Sequence, residues 1–382
     1  RAPAETGGAE PVAEEAEVAA ADLPEREAVI LPPAGIRPDG VPSLGMGLNG
    51  IADWSTQHPF VDMMKSARGW VGHTAEGWGA ISTVELRAGG YLDENDWPVR
   101  VPEEATALEA VLLTDQNPDQ SWLRGSYVLR YEGTGELKLS GRAKRVRYDE
   151  HEVGFFYEPG EGVVGVRITE TSADDPIRNI SVVREELVPL WEAGVLFNPL
   201  FLDTIQDVRE IRFMDWMMTN GSPVMTWEDR PVMELSTWSE WGVPLEVMIR
   251  LANVIGADPW FTMPHQADDA YVRQFAEMVE RDLDPGLKAY VEYSNEVWNQ
   301  IFPQAVYARE QATTLWGESE MGWMQWYGLR SAQVMDIWTE VYGDAAKDRL
   351  VRVAATHTGW PGLEENILVA PLAYLALGKK PV

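Results

Sequence analysis

Lys288-Ala-Tyr-Val-Glu-Tyr-Ser-Asn-Glu-Val-Trp-Asn299 is an apolar strand that runs straight into polar residues and then into helix-spaced sequence. A strand handing over to a helix in this way is one βα unit, and in α/β proteins the strand end is where the chemistry is presented. Working outward, Val208 to Trp216, Pro259 to His265 and Leu350 to Thr356 are further strand candidates, each followed by helix-spaced sequence. Leu44 to Trp54, followed by Phe60, Met63, Met64 and Ala67 at helical spacing, reads as a first unit of the same kind. Repeated units with buried, nearly continuous apolar strands predict a parallel sheet, either a barrel or a doubly wound sheet. No glycine-rich phosphate loop follows any of these strands, so a nucleotide-binding doubly wound sheet loses its main support. The expectation is an α/β fold: a (β/α)8 barrel of TIM type, incomplete, with about five βα units present.

Between about Gly77 and Arg184 the pattern changes to short alternating runs, such as Ser126-Tyr-Val-Leu-Arg-Tyr131, Glu136-Leu-Lys-Leu-Ser140 and Gly162-Val-Val-Gly-Val-Arg-Ile168, with Gly-rich turns between them. That is the signature of a small antiparallel β-sandwich. The expected layout is a disordered, acidic, Ala/Pro-rich tether over 1–42, a first barrel unit over 43–76, an inserted sandwich over 77–184, and barrel units two to five over 185–382. The tether reading rests on ten Ala, seven Pro and a net charge of −6 with no sustained apolar period. The competing layout is two independent domains in series, with Leu44 to Trp54 belonging to the sandwich.

A net charge of −30 over 382 residues repels phosphate backbones and argues against nucleic-acid binding. No run approaches the roughly 18 apolar residues of a membrane span, and the N-terminus lacks a signal-peptide pattern. The acidity suits an extracellular or periplasmic setting, although charge speaks to solubility rather than place. With no cysteine and five histidines, neither a metal site nor a cofactor is expected, and any chemistry falls to carboxylates. Seventeen tryptophans supply broad apolar faces with one N–H each, a surface suited to stacking on sugar rings.

Glu296, just past its strand, is placed to project into a barrel mouth with Asn295 beside it. The Asn295-Glu296 pair at the end of a fourth strand resembles the acid/base motif of the clan of retaining (β/α)8-barrel glycoside hydrolases that includes cellulases, mannanases and xylanases. Arg212, in Glu210-Ile-Arg-Phe-Met-Asp-Trp216, is similar to that clan's second-strand arginine, which supports the nucleophile. His265, in Trp260-Phe-Thr-Met-Pro-His, is similar to a third-strand histidine near the bound sugar. The resemblance implies a glycoside hydrolase acting on a β-linked polysaccharide, with Glu296 catalytic and Asn295, His265 and Arg212 binding substrate. Trp54, Trp216, Trp298 and Trp360 lie at or just beyond strand ends and are expected to floor sugar subsites.

Plainer readings stand beside these. Glu296 caps the next helix, Asn295 is a turn residue, Arg212 pairs with Asp215, His265 is a satisfied loop histidine, and each tryptophan packs a helix. Glu292 reads as an interior acid behind the site. Trp316, Trp323, Trp326 and Trp338 read as core, and Trp97 and Trp122 as either glycan-binding residues or hydrophobic plugs.

Retention needs two carboxyl groups about 5–5.5 Å apart, and the clan's nucleophile is a glutamate on the seventh strand. Counting strands gives a fifth at Arg349 to His357, with a sixth due where the chain stops at Gly378-Lys-Lys-Pro-Val382. The sequence thus reads as cut before its nucleophile strand, and as 382 residues it is expected to bind sugars weakly and not to hydrolyse them by retention. Asp215 and Asp268 are rival carboxylates that spacing does not single out. The alternative function is a non-catalytic carbohydrate-binding or scaffold protein, and the oligomeric state is left open.

Overall fold

The computed structural model describes residues 44–377, so the tether expected over 1–42 lies outside the described residues. Among the described residues the fold is mixed α/β with three sheets. Five strands, β1 (Gly45–Gly47), β11 (Glu210–Arg212), β12 (Asp258–Met263), β13 (Ala289–Tyr293) and β14 (Leu350–Val353), form a parallel sheet in that order. Met46 lies opposite Ile211, Ile211 opposite Pro259, Phe261 opposite Val291, and Val291 opposite Arg352. The strand at Leu44 to Trp54 therefore belongs to the parallel sheet, and the layout that put it with the antiparallel strands is set aside. Among the described residues β1 and β14 each pair on one side only, leaving the sheet open at both edges.

The remaining strands are antiparallel. They are β2 (Val71–Thr74), β3 (Gly77–Ile81), β4 (Ala105–Leu112), β5 (Gly125–Glu132), β6 (Gly135–Gly141), β7 (Lys144–Asp149), β8 (Glu152–Tyr157), β9 (Val164–Thr171) and β10 (Arg178–Arg184). One sheet runs β10-β5-β8-β7 and the other β3-β2-β4-β9-β6. Alternation sends Leu108 and Leu112 of β4, Tyr127 and Leu129 of β5, Phe155 and Tyr157 of β8, and Val166 and Ile168 of β9 into one buried cluster, so the two sheets share a core. Trp97 is buried beside it and donates to the Glu234 carbonyl at 3.0 Å, which makes it a plug.

Two local expectations differ. The helical spacing over Pro59 to Trp70 yields one 3-10 turn, Met63–Ser66, although Phe60, Met63, Met64 and Ala67 are all buried. The segment is clamped from both sides: Phe60 bridges Phe197, Asp62 bridges Val183, and the Asp62 carboxylate accepts from Met64 N and Val182 N. Val71–Thr74, expected within the first βα unit, instead pairs antiparallel with β3 and β4.

Helices follow the later parallel strands as patterned. Leu245–Ile255 buries Leu245, Met248, Ile249, Leu251 and Ala252 and ends at Gly256, whose φ of +67° is left-handed. Asp269–Asp282 is capped by Asp268, which accepts from Tyr271 N at 2.7 Å. Gly322–Tyr342 is buried on nearly every face, Trp323, Trp326 and Trp338 included. Among the described residues no helix is long and apolar enough to cross a membrane.

Candidate active site

The neighbouring strands β11, β12 and β13 bring three side chains to one point. Glu292 on β13 is 1% exposed, and its Oε2 accepts from Arg212 Nη2 at 2.8 Å and from Trp260 Nε1 at 2.9 Å. Burial pushes the Glu292 carboxyl above the usual carboxylate range; Arg212 and the Trp260 N–H oppose this, and the nearby Glu296 charge adds to it. The Arg212 guanidinium also lies over the Trp260 ring at 5.2 Å. Its Nη2 donates a second bond, to Asn295 Oδ1 at 2.9 Å. The Asn295 amide donates in turn to Asn220 Oδ1 at 3.0 Å, while Gln304 Nε2 reaches both Asn220 Oδ1 and the Asn295 carbonyl. Asn295 is thus fixed by protein partners on both ends of its amide. Arg212 hydrogen-bonds Glu292 and Asn295, not Asp215 as the plain reading had it.

Past β13 the backbone turns sharply. Ser294 and Glu296 take φ of +59° and +43°, a left-handed conformation that costs a residue other than glycine about 1–3 kcal/mol. Strain of this kind needs surroundings that enforce it, here the Ser294 N–H bond to the Met263 carbonyl at 2.9 Å and the network around Asn295. The turn leaves Glu296 half-buried, with Oε2 accepting from Asn299 Nδ2 at 3.0 Å. A half-buried carboxyl at a strand end is placed to exchange a proton with a bound molecule.

An open cleft of about 540 Å³ lies at the ends of β1 and β11, lined by Asn49, Trp54, Asp215, Met218, Asn220 and Ser239 among others. Trp54 is 65% exposed there. Partial burial raises the Asp215 carboxyl above its ordinary value, and the Arg212 charge opposes this. Asn220 links the cleft to the Arg212–Asn295 network.

The other expected site residues are dispersed. His265 is buried, meets Tyr307 edge-on at 5.2 Å, and borders a separate depression with Asp268, Asp269 and Arg330. Burial lowers its pKa to about 4, and Nδ1 has no partner among the described residues. Trp298 packs edge-on against His357 at 4.4 Å, and Trp360, half-exposed, lies 6.4 Å from Trp323. Trp216 corrects the expectation of a sugar platform: it is 0% exposed, donates to the Asn49 carbonyl at 3.1 Å and packs among Phe60, Phe201 and Phe213. Asp268 is a helix cap rather than a free carboxylate. Trp260, Asn220 and Gln304 were not anticipated, since cross-strand register and loop return bring them to the site, whereas Asn299 reaches Glu296 from only three residues along the chain.

Trp216→Ala is expected to cost about 3–5 kcal/mol of stability through the cavity it opens, and Trp54→Ala less than 1 kcal/mol, both read by urea unfolding. Equal costs would contradict the inward placement of Trp216.

Among the described residues no group of three or more His, Asp or Glu side chains is arranged to hold a metal ion. No family model, curated protein or solved structure matches the chain.

Proposed function

We propose that the protein is a glycoside hydrolase acting on a β-linked polysaccharide, with Glu296 as general acid/base. In this reading the five parallel strands belong to a (β/α)8 barrel, and the two antiparallel sheets are a β-sandwich inserted between its first and second units. The strand order supports a barrel, because parallel strands adjacent in chain order and never reversing are what barrel winding requires, whereas a doubly wound sheet has a reversal point. The observation that carries the function is the bond from Arg212, at the end of the second strand, to Asn295, whose neighbour Glu296 leaves the fourth.

Glu296 gives its proton to the glycosidic oxygen as the C1–O bond breaks and a carboxylate forms a bond to C1. The Glu296 carboxylate then takes a proton from water, whose oxygen displaces that carboxylate from C1. Glu292 is engaged by Arg212 and Trp260, which leaves it unsuited to attack C1. Arg212 and Asn295 hold the fourth-strand turn in place. The test is release of reducing ends from cellulose, glucomannan and xylan by the full-length protein beside Glu296→Gln. Turnover by the wild type alone supports the reading; binding without turnover in either favours the non-catalytic glycan binder.

A further inference from the structure

β4 lies in the middle of its sheet, between β2 and β9. Its alternation buries Leu108, Ala110 and Leu112 in the shared core and sends Glu109 to the opposite face, beside Val71 and Arg167. A carboxylate on an outer sheet face is ordinarily solvated, but Glu109 is buried. Its Oε2 faces His73 Nε2 at 2.6 Å and accepts from Trp78 Nε1 at 2.8 Å. Its Oε1 accepts from Ser140 Oγ at 2.5 Å and pairs with Arg167 Nε at 3.2 Å. Gly79 N donates to His73 Nδ1 at 3.0 Å, which leaves Nε2 as the protonated nitrogen facing the carboxylate. Burial pushes the Glu109 carboxyl up, yet these partners together hold it below its ordinary value. Gly165 keeps the space open: a Cβ there would lie 2.0 Å from Glu109 Oε1.

The cluster fixes one ring. Trp78 has its N–H tied to Glu109 and sits 5.3 Å from the His73 ring at 31°, and it is still 55% exposed. His73 lies against one side of the ring, and its strand neighbours Gly77 and Gly79 have nothing within 4 Å of a notional Cβ. A buried carboxylate with four partners is a costly device, and here it orients an indole that remains in water.

We propose that this outer sheet face is a glycan-binding site distinct from the barrel, with Trp78 as the ring on which a pyranose stacks. The ligand is a neutral polyol with a flat apolar face. Glu109 and Arg167 compensate each other, and the chain's charge of −30 opposes polyanions. Arg167, more than a third exposed along its side chain, offers further N–H groups to sugar hydroxyls. The choice of a β-linked glycan among neutral polyols rests on the function proposed above; the site itself does not.

The test is affinity electrophoresis of the protein in native gels containing hydroxyethylcellulose, glucomannan, arabinoxylan or heparin. Wild type should be retarded by at least one neutral polymer and not by heparin. Trp78→Ala should weaken that binding about tenfold or more, the loss of roughly one well-stacked ring. Trp78→Phe, which keeps a ring, should lie between; Trp54→Ala, run beside them, should lose less than Trp78→Ala, and thermal transitions confirm that all are folded. Absence of retardation in every neutral gel overturns the inference, as does retardation by heparin alone. Loss in Trp54→Ala but not Trp78→Ala overturns it too, while leaving the hydrolase reading intact. A dimer that Trp78→Ala dissolves, without glycan binding, would assign the face to a second copy and overturn it as well. Retardation lost in Trp78→Ala from a protein that hydrolyses nothing supports this site and sinks only the hydrolase reading.

Discussion

Arg212→Met is expected to destabilise the protein by about 3–5 kcal/mol at pH 7, because it strands the buried Glu292 carboxylate with only the Trp260 N–H for company. The pair is well shielded from solvent, with side-chain exposures of 25% and 1%, so screening does not erase the effect. The pH dependence follows from the direction of the Glu292 shift. Burial already raises its folded pKa above the unfolded value of about 4.3, and losing Arg212 raises it further. A group that holds its proton more tightly in the folded state gives most stability below the unfolded value and loses it as pH rises through the folded one. The deficit of Arg212→Met should therefore be smaller at pH 5 than at pH 7. Glu292→Gln added to Arg212→Met should recover much of the loss. Urea unfolding of the three proteins at both pH values measures this; a deficit under 1 kcal/mol, or one indifferent to pH, would mean that Glu292 is not left as an uncompensated buried charge.

Glu296→Gln is expected to lower kcat/KM on unactivated polysaccharide by about 10²–10⁴-fold, the usual share of a positioned general acid/base, with the unfolding transition unchanged. Its side chain is half-buried and, among the described residues, accepts one bond, from Asn299, so the amide fits the same space. Aryl glycosides with good leaving groups need no proton on departure, so the first step should suffer far less on them. A uniform loss on both substrate types would point to a binding or folding role instead.

β12 and β13 were legible because each is a largely buried run bounded by polar residues, and such runs survive a change of context; β1 and β11, three residues each, and β14, only partly buried, were legible from the repeat of strand and helix around them. Arg212 and Asn295 could be placed at strand ends for the same reason, but not bonded to each other, since that depends on the turn in which Ser294 and Glu296 adopt positive φ. The engagement of Glu292 with Trp260 was hidden because it crosses from β13 to β12, and register between strands leaves no mark in a single sequence. Trp216 misled for a related reason. A tryptophan near a strand end reads alike whether it faces a cleft or a cage of Phe60, Phe201 and Phe213, and only the packing decides. The short helix Thr83–Ala88 did have a local signature, the capping box of Ser82 and Glu85, which the surrounding alternation obscured. Trp78 escaped notice because its Glu109 partner lies 31 residues away on a strand two positions across the sheet.

The most direct measurement is azide rescue of Glu296→Ala in the full-length protein, with an activated aryl β-glycoside as substrate. If Glu296 is the acid/base of a retaining hydrolase, the covalent intermediate forms but water attacks it slowly without a base, and azide, which needs none, replaces water at C1. Turnover should rise with azide concentration, and nuclear magnetic resonance should show a β-glycosyl azide as product. No rescue, an α-configured azide, or a variant as active as wild type without azide would contradict the role assigned to Glu296.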